Sequence, residues 1–240
     1  MADASKSRKQ TCIEDIKRRI LTLDVEPGAY LDETELAENY ALSRPPLREV
    51  FNQLAGEGFV VLHKNRGAQV SPMTHKSLRN FFIAAPMIYA AVSRLAAENA
   101  TTAQIEKLKE TQAEFRRAID DGDTFRRALV NQRFHEIIGE MSDNEFLSPS
   151  LRRLMIDHTR ISMSFYNPRN QTLAEQRSIA ADHHDQFIHH IENADPDAAA
   201  QLALDHWELS RAELESFVTP ISIEMPLGSA PHAPRQKGAS

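Results

Sequence analysis

Four residues, Ser43-Arg44-Pro45-Pro46, restrict the fold of this chain more than any other stretch. Adjacent prolines fix two φ angles and remove two backbone donors, which a helix tolerates only in its first turn. They therefore predict a rigid helix start at Ser43, with its hydroxyl as the N-cap acceptor and about three turns of helix behind it. Arg44 stands at that start and Arg48 one turn later on the same side. Cations there oppose the helix dipole, at a cost of roughly 0.3–1 kcal/mol unless an anion is brought to them. One reading is a solvated helix start with the arginines paired to Glu33 or Glu49; the other is an anionic partner.

The flanks favour the second reading. On one side Ile13, Ile16, Ile20 and Leu23 recur at helical spacing from Thr11 on. Val25-Glu26-Pro27-Gly28 closes that helix, a second begins near Glu33 with Leu36 and Ala37, and Ala41-Leu42-Ser43 is a tight connection. On the other side FVVL, the basic tip HKNRG and AQVS read as a two-stranded hairpin. Three helices and a basic hairpin form a winged helix-turn-helix, whose third helix fits the major groove of a duplex. Lys64 and Arg66, with Gly67 at the turn, carry the wing to the backbone or minor groove.

From Thr74 onward no further convincing strand can be read. Amphipathic segments at about 76–98, 102–121, 123–141, 144–166, 173–193 and 196–217 predict an all-α second domain. Thr101 with Glu106 nearby, Asp121-Gly122-Asp123, Ser142-Asp143-Asn144, Asn167-Pro168 and Asp195-Pro196 punctuate them. The expected organisation is an arm at 1–9, the winged domain at 10–72, the helical effector and dimerisation domain at 76–218, and a disordered tail at 219–240. Only 8 glycines in 240 residues agree with a mainly α fold. A net charge of −6 excludes non-specific nucleic-acid binding by the chain as a whole. It leaves room for a local basic surface, because screening confines a charge to about 8 Å. The single Cys12 forms no internal disulfide, no apolar run approaches the ~20 residues of a bilayer crossing, and MADASKSRKQ lacks a signal peptide's apolar stretch. A cytoplasmic protein without a membrane partner is expected.

The second domain carries histidines on apolar faces. Asn131 and His135 are four apart, His184 precedes Phe187 and Ile188, and His206 lies between Leu202 and Leu209. Buried neutral imidazoles need hydrogen-bond partners. Either these are scattered core histidines with satisfied rings, or they converge on a divalent transition metal inside the bundle, with Asn131 completing the set.

The quoted residues resemble a known family. Pro27-Gly28, Glu33-Thr34-Glu35-Leu36-Ala37, Ser43-Arg44-Pro45-Pro46-Leu47-Arg48-Glu49, Leu54 to Gly58 and Arg66-Gly67 are similar to the DNA-binding domain of GntR-type bacterial transcription regulators. Residues 131–135, 142–147, 184–188 and 206 resemble the FCD effector domain of the FadR-like branch. The resemblance implies a six- or seven-helix bundle that binds zinc or nickel beside a small carboxylate effector. It also implies a homodimer on a palindromic operator, with Arg44 and Arg48 on phosphates or guanine edges. The expected function is a ligand-responsive repressor, not an enzyme. This sequence departs from the pattern in three places. Pro45 stands where a threonine is commoner, Asn131 replaces the usual aspartate, and Ala85 and Tyr89 replace an arginine and a glutamate, with Pro86 interrupting that helix. Without the arginine a carboxylate effector loses its fork, and Tyr89, Phe82 and Arg160, with Phe165 and Tyr166, are candidates for a more apolar pocket. The alternatives are a constitutive DNA-binding protein with a vestigial pocket, and a zinc-dependent hydrolase on His135, His184 and His206. The hydrolase lacks a placed base, because Glu136 faces about 100° away around its helix from His135.

Overall fold

The computed structural model describes residues 2–64, 66–164 and 171–218. The front of the chain is α1 (Ala2–Leu21), α2 (Glu33–Asn39), α3 (Arg44–Glu57), β1 (Val60–His63) and β2 (Gly67–Val70). Ile13, Ile16 and Ile20 of α1 meet Leu36 of α2 and Leu47, Val50, Phe51 and Leu54 of α3 in one buried core. Asp32 caps α2 by accepting from the amides of Thr34 and Glu35. The strands pair antiparallel from Val60 with Val70 to His63 with Gly67. Tyr30 bridges to Gln69, and the Gly28 amide donates to the Val70 carbonyl.

α1 is helical from Ala2, through the residues expected to form an arm. Ala, Lys, Arg and Gln are good helix formers, and two bonds hold this first part of α1 to the reading unit. Arg8 donates to the Ala41 carbonyl and Lys9 pairs with Glu49 on α3. The expected tail, 219–240, lies outside the described residues, as do Phe165 and Tyr166.

The second part is α4 (His75–Asn99), α5 (Thr102–Asp120), α6 (Thr124–Met141), α7 (Leu147–Ser164), α8 (Gln171–Glu192) and α9 (Pro196–Val218). Thr74 and Ser77 form a reciprocal capping box at the start of α4; Thr101 does so with Gln104, not with the expected Glu106. Pro86 does not interrupt α4, which is continuous through it. A proline inside a helix forfeits one ladder bond and clashes with the preceding turn. Here Phe81, Ala85, Tyr89, Val92 and Ala96 on either side of it are buried in the bundle core and hold the helix together. By length and composition α4 is apolar enough to cross a membrane, more than the sequence reading allowed. That apolarity serves the bundle: α4 packs against α6, α7, α8 and α9.

α7 belongs to both parts. Leu151, Met155 and Ile161 lie in the bundle core, whereas Ile156 is buried in the core of the front unit. Gly139 on α6 lets α7 approach, since a Cβ there would stand 2.8 Å from the Leu151 side chain. Gly58 does the same at the end of α3: its φ is +90°, and a Cβ would lie 2.3 Å from Cδ of Arg153 on α7. Gly58→Ala is therefore expected to cost about 1–2 kcal/mol from the left-handed backbone alone, plus whatever displacing Arg153 adds. A lowered urea midpoint for the full chain checks it; an unchanged midpoint contradicts it.

Candidate DNA-reading head and histidine centre

The start of α3 differs from expectation in one respect. Ser43 is the N-cap residue, with extended backbone angles, but its hydroxyl makes no capping bond. An N-cap oxygen accepts from the amide of the second or third helical residue. In this helix those residues are Pro45 and Pro46, and neither has an amide hydrogen. The same loss thins the backbone donors that a helix N-terminus offers an anion. Leu47 already donates to the Ser43 carbonyl, so Arg44 keeps the main amide available in the first turn. Anion contact here must come from side chains, and the Ser43 hydroxyl is left free to join them.

Those side chains are in place. Arg44, Pro45 and Arg48 are exposed on α3, and Lys64 and Arg66 are exposed at the wing tip. None of the four cations has a side-chain ion pair or hydrogen bond among the described residues. Of the two acidic partners considered, Glu49 pairs with Lys9, while the Glu33 carboxylate lies against the wing turn and lines a cleft with Arg48 and Arg66 without an ion pair to either among the described residues. Gly67 has φ +75°, and a Cβ there would be 2.8 Å from Glu33 Oε1, so glycine answers both the backbone and the space. Of the other cations of the front unit, Lys17 pairs with Glu57 and Arg18 with Asp15 and Asp24. A cleft of about 640 Å³ separates α3 from the wing, walled by Arg48, Asn52, His63 and Arg66. Asn52 and His63 escaped the sequence reading. Asn52 stands four residues after Arg48, and that shared helix face was the available signal.

The bundle brings the three histidines together. His135 on α6, His184 on α8 and His206 on α9 are buried, and one nitrogen from each lies within 4.8 Å of the others. Burial holds all three below the ordinary imidazole range, with repulsion from neighbouring histidines, His158 among them, adding to it; His135 and His184 fall well below, and His206 is pushed down to about 3. Each is therefore a neutral ring with one lone pair. The Gln112 amide on α5 donates to the Ala181 carbonyl and to Asp185, so its oxygen must face His184 and accept from Nδ1 at 3.0 Å. That leaves His184 Nε2 as the lone-pair nitrogen, and Phe134 stacks on the ring at 4.0 Å to fix its plane. Among the described residues, His184 Nε2, His135 Nε2 and His206 Nδ1 are buried without any partner, as is Nδ1 of the half-buried His183. Three unpartnered ring nitrogens on side chains this close together fit a transition metal better than satisfied core histidines. Ligand nitrogens in a tetrahedral zinc site are about 3.3 Å apart for bonds of about 2.0–2.1 Å, so a small inward closure suffices. Asn131 is partly buried one turn before His135.

A fourth buried histidine was missed. His158 on α7 has its ring 6.1 Å from that of His135, and its Nδ1 is 2.8 Å from the Tyr89 hydroxyl. Burial lowers it to about 4 and pushes the Tyr89 phenol up, so a protonated Tyr89 and a neutral His158 share a hydrogen bond whose donor is set by the His158 tautomer; the Tyr89 hydroxyl also lies 3.5 Å from Met155 Sδ. The helical spacing of His158 from Leu151 and Leu154 was the legible signal. Tyr89, Ser93, His135, His158, His206 and Trp207 enclose a cavity of about 10 Å³, room for one ion or water. Of the pocket residues expected, Tyr89 lines this cavity. Phe82 sits behind it against the Trp207 ring, and Arg160 is fully buried but bonded elsewhere, to Ser71 and Asp157. Glu136 faces away, bonded to Gln132 and Arg133.

A winged helix-turn-helix with unpaired cations, joined to a helical bundle closed around histidines, defines a DNA-binding regulator with a sensing domain. The chain belongs to the gntR family of bacterial regulatory proteins: residues 8–70 match that family, and residues 87–209 match the FCD domain. The HTH-type transcriptional regulator YdhC of Bacillus subtilis is 24% identical over 80% of this chain and 84% of its own. The HTH-type transcriptional repressor RspR of Escherichia coli is 26% identical over 68% and 73%. The solved structure of E. coli McbR/YncC shares the fold, with a TM-score of 0.73 at 19% identity over 88% of this chain and 99% of that one. The protein is a transcription regulator and not an enzyme.

Unfolded histidines take up protons near pH 6.5, whereas His158 and His206 do so only near 4 and 3 when folded. In that window the unfolded state binds more protons, so stability is complete above about pH 6.5 and is lost as pH falls toward the folded values. The urea midpoint of metal-free protein is expected to drop steadily between pH 6.5 and 4.5, and less steeply in a His158→Leu variant.

Proposed function

We propose that the protein represses transcription by binding an operator as a homodimer, with residues 10–72 as the reading head and 76–218 as the sensing and dimerisation domain. The observation that carries this is the set of four exposed cations at the start of α3 and the wing tip of an acidic chain, unpaired among the described residues, with Arg48 and Arg66 lining one cleft. Arg44 and Arg48 meet phosphates or guanine edges at the start of α3, Ser43 adds a hydroxyl, and Pro45 packs against the sugar-phosphate backbone. Lys64 and Arg66, turned by Gly67, meet the neighbouring backbone or minor groove. Two heads related by a two-fold axis match a palindromic or near-palindromic site. A relative named as a repressor supports the sense of regulation. The action takes place on the chromosome, in the cytoplasm.

His135, His184 and His206 would hold zinc or nickel, with the neutral oxygen of Asn131 as a weaker fourth ligand. No lysine or arginine is among the residues that line the cavity. A metabolite bearing a carboxylate would therefore have its charge met by the metal ion and not by a guanidinium. The cavity is too small for a metabolite, so the bundle must widen for one to enter. An effector then shifts the arrangement of the heads only by the difference in its affinity for the closed and widened forms.

Operator DNA is obtained by selection from a random duplex pool. Arg44→Ala is expected to weaken binding to it by about 1–3 kcal/mol, and Lys64→Ala to weaken all sequences alike and lower the salt slope by about one. A gel-shift titration with unchanged affinity for Arg44→Ala would remove that residue from the interface. For the metal, tag-free protein analysed for elements is expected to carry zinc or nickel that a His184→Ala, His206→Ala variant lacks. Gln112→Ala, which frees the His184 ring, is expected to weaken affinity about 10–100-fold in a chelator competition. Equal and negligible metal in both preparations would support constitutive DNA binding with a vestigial pocket.

A further inference from the structure

α7 presents two different faces. Met155 and His158 point into the bundle, and His158 is part of the cavity wall. Arg153, Ile156, Asp157 and Arg160, spaced three, four and seven apart, lie on the side toward the head. Ile156 is buried in the head's core, and Arg153 lies against Gly58. Arg160 is 0% exposed and donates from Nη1 to the carbonyl of Ser71 at 2.6 Å, while its other arm pairs with Asp157. Asp157 also pairs with Arg153 at 3.1 Å, so the two cations are held by one carboxylate.

Ser71 is a junction. It is the residue after β2, its amide donates to the Phe59 carbonyl at 2.9 Å, and its hydroxyl donates to the Gly58 carbonyl at 2.7 Å. Gly58 in turn closes α3 with its amide on the Ala55 carbonyl. A chain of direct bonds thus runs from the cavity wall to the reading helix: Tyr89 to His158, along α7 to Arg160, across to Ser71, and on to the end of α3.

A buried charge is a poor choice for mere packing, since an apolar residue of similar volume serves stability as well or better. A guanidinium fork fixes direction as well as distance, because it is planar and its donors are pre-arranged. We propose that Arg160 is a positioning residue that couples the cavity to the DNA-reading helix, so that a displacement of α7 at His158 re-aims α3 through Ser71. Because two heads must match the spacing of two half-sites, a small rotation of each head relative to its bundle is enough to change operator affinity. This assignment needs no metal; any occupant or substitution that moves α7 engages it.

The test is hydrogen exchange on the full chain, read at the amides of Gly58, Phe59 and Ser71. Arg160→Lys keeps a charge but loses the fork, and is expected to speed exchange at these amides about tenfold while leaving α8 protected. Asp157→Asn serves as the milder second variant. Tyr89→Phe changes only the cavity side, and is expected to speed the same three amides several-fold in the wild-type chain but to add nothing in the Arg160→Lys chain. The proposal is overturned if Arg160→Lys leaves these amides as slow as in the wild type, or loosens α8 equally. It is also overturned if Tyr89→Phe has no effect on them, or the same effect with and without Arg160.

Discussion

The burial of α7 on two sides is the constraint around which the rest of this structure is arranged. Its Leu151, Met155 and Ile161 complete the bundle, and its Ile156 completes the head. Losing either contact would leave apolar surface in water, which is costly at about 25 cal/mol per Å². The glycines at 58 and 139 mark where the backbone must come close enough for this. A helix with that dual commitment cannot move on one side without consequence on the other, and a regulator needs such an element.

Charge is distributed with the same economy. The chain is acidic overall, and three other cations of the front unit, Lys9, Lys17 and Arg18, are balanced locally by carboxylates. Arg44, Arg48, Lys64 and Arg66 are not. Net negative charge discourages indiscriminate attachment to nucleic acid, while the short range of screened interactions lets a small unpaired set act where it touches the duplex. The double proline sharpens this surface by removing backbone donors and the partner of the Ser43 hydroxyl, which shifts anion recognition onto side chains.

In the bundle, His135, His158, His184 and His206 are neutral because burial denies them charge, and among the described residues His135, His184, His206 and the half-buried His183 keep an unpartnered nitrogen. Such vacancies in hydrogen bonding are expensive, so their convergence from three helices is informative in a way that a single one is not. Gln112 shows how the tautomer is set: an amide tied down at its nitrogen leaves only its oxygen to face His184. Tyr89 holds the His158 ring by a hydrogen bond at Nδ1 without fixing its tautomer, since a hydroxyl can donate or accept.

Much of this was legible in the order of residues. Proline and glycine positions, helical and strand periodicity, and the placement of Arg44, Arg48, His135, His184 and His206 are local properties, and local sterics and hydrophobic spacing decide them. The first turns of α1, the continuity of α4 through Pro86, the inclusion of His158 and the displacement of Arg160 from the cavity to the joint were not. Each depends on what another segment supplies: Ala41 and Glu49 for α1, the bundle core for α4, Tyr89 for His158, Ser71 for Arg160. A linear pattern tells which face of a helix is buried, but not against which neighbour. The chain alone determined a reading head followed by a histidine-bearing bundle. Only packing decided that one helix would belong to both, because contacts between residues far apart in sequence exist only once the elements have docked.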